Sequence, residues 1–91
     1  MRESVVEKYL VKRVKAIGGG CFKWSGPNDR GKPDRMVMMP GGRVVFVEVK
    51  APGKKPTKLQ SYWLEKLSGL GFKAVVVDSV ETVDQLIEEL G

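Results

Sequence analysis

Between Arg43 and Lys50 the chain reads RVVFVEVK, an apolar run interrupted by one acid and closed by one lysine. The run is rich in Val and bounded by Pro40-Gly41-Gly42 on one side and a Pro/Gly/Lys segment on the other, so it reads as a β-strand. Side chains alternate along a strand, which puts Glu48 and Lys50 on one face. Burying either group is costly without a partner or a cation. A strand of this composition demands a sheet to lie in and a reason for its charges.

The reason depends on what lies across the turn. Asp34 to Met39 reads as the preceding strand, close enough to pair with 43–50 as a hairpin. If Pro40-Gly41-Gly42 forms a three-residue loop, Met39 opposes Arg43, and Asp34 falls opposite Glu48 on the same face. If only Gly41-Gly42 turn the chain, Asp34 opposes Val49 and faces away. One residue of slip makes or destroys the cluster. In the first register two carboxylates stand side by side, and they repel unless they share a proton or a cation. Oxygen ligands of this kind suit Mg²⁺ or Mn²⁺. A cation so held can lower the pKa of bound water and offset charge on a phosphate, with Lys50 placed to orient the water or stabilise developing charge. The plainer reading makes Glu48 and Lys50 a solvated pair on an edge strand and Asp34 a turn residue.

The remaining pattern completes an αβββαβα order within a single domain, residues 1–91. Ser4 to Ile17 has apolar residues at helical spacing (Val5, Tyr9, Leu10, Val14 and Ile17) and stops at Gly18-Gly19-Gly20. Lys8, Lys12, Arg13 and Lys15 make its other side basic. Cys21 to Trp24 is a short strand and Ser25 to Lys32 a loop. A helix runs from Thr57, its N-cap, to about Leu70, with Leu59, Tyr62, Trp63, Leu64 and Leu67 on its apolar side. Phe72 to Val77 is a strand. A last helix begins at Ser79 or Val80 and ends at Leu90, with Val83, Leu86, Ile87 and Leu90 on one stripe.

Composition narrows the chemistry. Histidine is absent, which removes Ser-His-Asp triads, Cys-His pairs and histidine zinc sites. Sixteen Lys and Arg against eleven Asp and Glu give a net charge of +5, a balance suited to a polyanion such as nucleic acid. The one cysteine, Cys21, allows no intrachain disulfide and reads as a small buried apolar residue. No N-terminal apolar run looks like a signal peptide, and no stretch has membrane-spanning length. The expectation is a soluble protein of the cytoplasm, or of the host cytoplasm if phage-encoded.

At these residues the chain resembles a known family. Gly31-Lys32-Pro33-Asp34, a hairpin, and then Glu48-Val49-Lys50 match the PD-(D/E)xK nuclease signature. More narrowly, the chain looks like a stand-alone VRR-NUC domain of the phage or bacterial type. It has an N-terminal helix carrying Glu, a G-x-P-D loop, the strand and loop FVEVKAPG, and Gln60 entering the next helix. The resemblance implies a restriction-endonuclease-like α/β core with a mixed central sheet flanked by helices. It implies Asp34, Glu48 and the backbone carbonyl of Val49 as ligands of Mg²⁺, for which Mn²⁺ would substitute, and Lys50 as the catalytic lysine. Glu7 would be the helix acid, reaching the cation directly or through water, with Glu3 its rival; Gln60 would support the site. Small stand-alone members of this type are similar to archaeal Holliday-junction resolvases, which implies a homodimer cutting branched DNA. No small-molecule cofactor is expected.

Local alternatives accompany these roles. Ser4-x-x-Glu7 and Thr57-x-x-Gln60 both match a capping box, in which Glu7 or Gln60 would serve the helix backbone. Lys23, Arg30, Lys32, Arg35, Lys54, Lys55 and Lys58 could flank the site and grip DNA phosphates, or could be solvated surface. Trp24 and Trp63 read as core or dimer contacts before base-stacking platforms. Beside the endonuclease stand a non-catalytic DNA-binding module on the same scaffold, and a flap or restriction-like nuclease with the same site.

Overall fold

The computed structural model describes residues 1–24 and 30–91; most of the expected loop from Ser25 to Lys32 lies outside them. Seven elements follow in the order α1 (Glu3–Ala16), β1 (Gly20–Lys23), β2 (Arg35–Met39), β3 (Arg43–Val49), α2 (Lys58–Gly69), β4 (Lys73–Val77) and α3 (Val80–Leu90). The αβββαβα order is the expected one, with boundaries moved by a residue or so.

The strands form one sheet in the order β1-β2-β3-β4. β1–β2 and β2–β3 are antiparallel, and β3–β4 is parallel. A parallel pair needs a crossover, which α2 supplies. The β2–β3 register decides the site: Met39 opposes Arg43 and Arg35 opposes Val47. The turn therefore has three residues, and Asp34, one step before Arg35, stands across from Glu48.

Alternation splits the sheet into two unlike faces. Val37, Val45, Val47, Val49 and Val77 point to one side and are buried there against Val6, Leu10 and Val14 of α1 and Val83, Leu86, Ile87 and Leu90 of α3. Each such side chain contributes about 1.5–3 kcal/mol on leaving water. The buried stripe of α1 is Val6-Leu10-Val14, while Val5, expected inside, is exposed. A four-residue step keeps 6, 10 and 14 in line, and Val5 falls about 100° away. Polar contacts lock α1 to α3: Tyr9 donates to Asp84 Oδ1 at 2.6 Å, and Arg13 binds both.

The opposite face carries Trp24, Met36, Phe46 and Glu48, and among the described helices α2 alone covers it. Trp24 packs on Phe46 with ring centroids 4.6 Å apart, and Phe46 meets Phe72 edge-on at 5.3 Å. Of the apolar side expected for α2, Leu67 is buried and Trp63 and Leu64 are half-buried. Leu59 and Tyr62 are exposed.

Local signals account for the helix ends. Thr57 caps α2 through the expected box with Gln60, and Ser79 caps α3 with Thr82. α1 ends in a Schellman pattern, with Gly18 N donating to Lys15 O and Gly19 N to Val14 O. Its start corrects the sequence reading. The N-cap is Arg2, with no side-chain cap, so Ser4 and Glu7 do not form a capping box. The helix begins two residues earlier than that box requires, and Glu7 has a better partner elsewhere.

Candidate nuclease site

β2 and β3 bring the two acids together at one end of the sheet. Pro33 is buried and has no N–H to donate, so the β2–β3 ladder cannot continue past Asp34 in the usual way. The Asp34 carboxylate takes over: its Oδ2 accepts from Val49 N at 2.9 Å. On the other side of β3 the ladder to β4 persists, with Lys50 N donating to Val77 O at 2.9 Å. Asp34 thus completes the hydrogen bonding of the strand that carries Glu48, and is held by it.

Among the described residues Glu48 is the one charged residue in the buried set, at 2% exposure. Its Oε2 lies 3.6 Å from Lys50 Nζ. Its Oε1 is buried without a hydrogen-bond partner. Burial, and next the adjacent Asp34 charge, raise its pKa from 4.5 to about 8, against the opposing pull of Lys50. At neutral pH without a cation, Glu48 therefore holds a proton. An orphaned buried oxygen beside a second carboxylate is a donor set whose chemistry fits a hard divalent cation.

Among the described residues no group of three or more acids or cysteines is placed to hold a metal. Two carboxylates suffice for Mg²⁺, which binds through one or two and keeps waters or substrate phosphates in its other positions. The pair Asp34 and Glu48 fits that chemistry.

Glu7 does not join them. Its Oε2 accepts from Arg35 Nε at 2.8 Å, and Arg35 also donates to the carbonyl of Cys21 at 3.2 Å. Arg35 alternates away from Asp34, so this pair lies on the α1 side of the sheet. Gln60 sits in the cap of α2, its Oε1 accepting from Thr57 N at 2.8 Å. Cys21 is half-buried against the core, and burial raises its thiol pKa to about 11.

The expected DNA contacts separate into groups. Lys23 ends β1, and Arg30, Lys54, Lys55 and Lys58 are exposed in or beside loops at the same end of the sheet as Glu48. Arg35 is turned inward. Lys32 lies over two rings, 5.4 Å from Trp24 and 5.3 Å from Trp63. The tryptophans therefore pack as expected, and also bracket a lysine two residues from Asp34.

Sequence reasoning missed what holds the Gly31–Asp34 loop in place. Gly31 has φ +80°, and a Cβ there would lie 2.4 Å from Leu59 Cγ and 3.1 Å from Trp63 Cδ1. Only glycine lets α2 press this closely on the loop. The Gly and Pro of that segment were the available signal; the partner helix was not visible.

A family profile, a curated protein and a solved structure are similar to this chain. The VRR-NUC domain profile matches residues 9–81, a span that includes Asp34, Glu48, Lys50 and Gln60 but not Glu7. A protein of Acyrthosiphon pisum secondary endosymbiont phage 1, p44, named as a nuclease, is 47% identical over 79 residues, covering 87% of this chain and 85% of that protein. A solved VRR_NUC domain superposes with TM-score 0.89 at 37% identity, covering 98% of this chain and 97% of its own.

Proposed function

Because the chain belongs to the VRR-NUC family of nuclease domains, we propose that it is a Mg²⁺- or Mn²⁺-dependent DNA endonuclease. The observation that carries this reading is the buried Glu48 carboxyl, with one oxygen unpartnered, facing Asp34 and flanked by Lys50. Asp34 and Glu48 would hold the cation, with the carbonyl of Val49 as a further ligand. The bound ion would supply an activated water and neutralise charge on the scissile phosphate.

This chain's own groups do the rest. Asp34, whose Oδ2 accepts from Val49 N–H, would be held in place to bind the cation. Glu48 would hold the cation in its ionised form, giving up its proton on binding. Lys50 balances the charge of the acids and stabilises developing charge on a phosphate oxygen. Glu7 acts through Arg35, the residue after Asp34, and Gln60 through the cap that fixes the start of α2 beside the Gly31–Asp34 loop. Arg30, Lys32, Lys54, Lys55 and Lys58 grip the phosphates around the scissile bond, and Lys23, at the end of β1, contacts the DNA from the α1 side.

The preferred substrate in this proposal is a four-way DNA junction, cut by a homodimer. Exposed apolar residues on the α2 side, among them Phe22, Met38, Tyr62 and Phe72, support self-association. The test is incubation with four-way junction, flap, linear duplex and single strand, in Mg²⁺ and in EDTA. Metal-dependent cutting, strongest on the junction and lost in Asp34→Ala, is expected. Equal cutting by Asp34→Ala overturns the site assignment. Salt-sensitive binding with no cutting in any divalent ion makes the protein a DNA-binding module. A monomer in sedimentation, with and without DNA, removes the dimer.

A further inference from the structure

A second charged surface lies on the other side of the sheet. Between α1 and the β1 edge runs a groove of about 560 Å³ lined by Lys8, Lys12, Lys15, Lys23, Arg35 and Glu7, among others. Lys8, Lys12 and Lys15 recur at i, i+4 and i+7, so they form one stripe along the helix. All three, and Lys23, are exposed. No acid among the described residues forms an ion pair with any of the four. The one acid of the groove, Glu7, is already taken by Arg35.

The position matters as much as the charge. α1 runs antiparallel to β1, so Glu7 and Lys8 lie at the end of the sheet that carries Asp34 and Glu48, beside the paired residues Lys23 and Arg35. From there the stripe leads away for roughly 10 Å, at 1.5 Å per residue. That length spans about three phosphates of one DNA strand at roughly 3.4 Å per step.

We infer that this groove is a second DNA-binding track, in which Lys8, Lys12, Lys15 and Lys23 hold the phosphate backbone of one strand leading away from the cleavage site. The inference rests on the DNA-cleaving reading for its ligand. No ion pair among the described residues offsets these cations, and like charges set at helical neighbours are mildly unfavourable. A polyanion relieves that repulsion. The track would hold an arm of the substrate whichever base sequence it carries, because backbone contacts position without specifying.

The test separates this track from the catalytic site by measuring binding in EDTA, where no cutting occurs. The groove double variant Lys8→Ala/Lys12→Ala is compared with Lys66→Ala/Lys73→Ala, which removes the same charge from α2 and from the far end of β4. Each phosphate contact contributes about 0.9 to the slope of log K against log salt. The groove double is expected to lower that slope by about 1.8, and the control by well under half as much. Circular dichroism of both should match wild type, since all four lysines project from the surface. An unchanged slope in the groove double, or equal losses in both variants, overturns the track and leaves the nuclease reading intact. Failure of metal-dependent cutting with the slope change preserved overturns the nuclease reading and leaves the track.

Discussion

The two faces of the sheet are built to opposite rules. The face toward α1 and α3 is closed: Val37, Val47, Leu10 and Val83 have no exposure, and its polar contacts sit at the rim. The face toward α2 is open and mixed. It buries Glu48 near the end of β3 and leaves Phe22 52% and Phe72 42% exposed. The lesson is a division of labour inside a very small domain. One face supplies stability by area, and this frees the other to hold a carboxyl that costs stability when it stands alone.

The sharpest way to break this division is to damage each face in turn. On the open face, Lys50→Ala should lower kcat about a hundredfold or more while leaving the melting temperature nearly unchanged. Steady-state cleavage and calorimetry on one preparation decide it. A large stability loss would make Lys50 a structural residue. On the closed face, Leu10→Ala should cost about 2–5 kcal/mol in urea unfolding and leave kcat of the folded fraction intact at low temperature.

Glu48 offers a test with a sign. Its folded pKa of about 8 lies above its ordinary 4.5. The folded state therefore keeps a proton that the unfolded chain gives up. Its contribution is fully present below pH 4.5 and is lost as pH rises through about 8. In EDTA, Glu48→Gln should melt progressively higher than wild type as pH rises across that window. Parallel melting curves would mean that burial does not strain the carboxyl.

The smallest effect concerns the helix starts. Thr57→Ala removes a real cap and should cost about 1 kcal/mol. Ser4→Ala should cost only a few tenths, since α1 begins without a side-chain cap. Equal costs would restore the Ser4–Glu7 capping box.

These contrasts also mark what could be read from the chain alone. The acids, the lysine and a turn within Pro40-Gly41-Gly42 were legible because alternation in β3 and the Pro/Gly signal are local. The sequence left two registers open, and the ladder from Met39–Arg43 to Arg35–Val47 chose the one that makes a site. Partners far along the chain were not legible. Glu7 fitted a capping box by spacing, but Arg35, 28 residues on, claims it. Helical periodicity found the apolar stripe of α2 without showing that Leu59 and Tyr62 would remain uncovered. The basic side of α1 was visible as spacing, whereas the groove beside it depends on where β1 returns.

The central claim is that Asp34 and Glu48 together hold a divalent cation. Its most direct test is calorimetric titration of Mn²⁺ into metal-free protein at pH 7, repeated in buffers of different ionisation enthalpy. The account predicts saturable binding that releases close to one proton per ion, the proton held by Glu48, with binding lost in both Asp34→Asn and Glu48→Gln. Mn²⁺ binding that is unchanged in those variants, or that releases no proton, would contradict it.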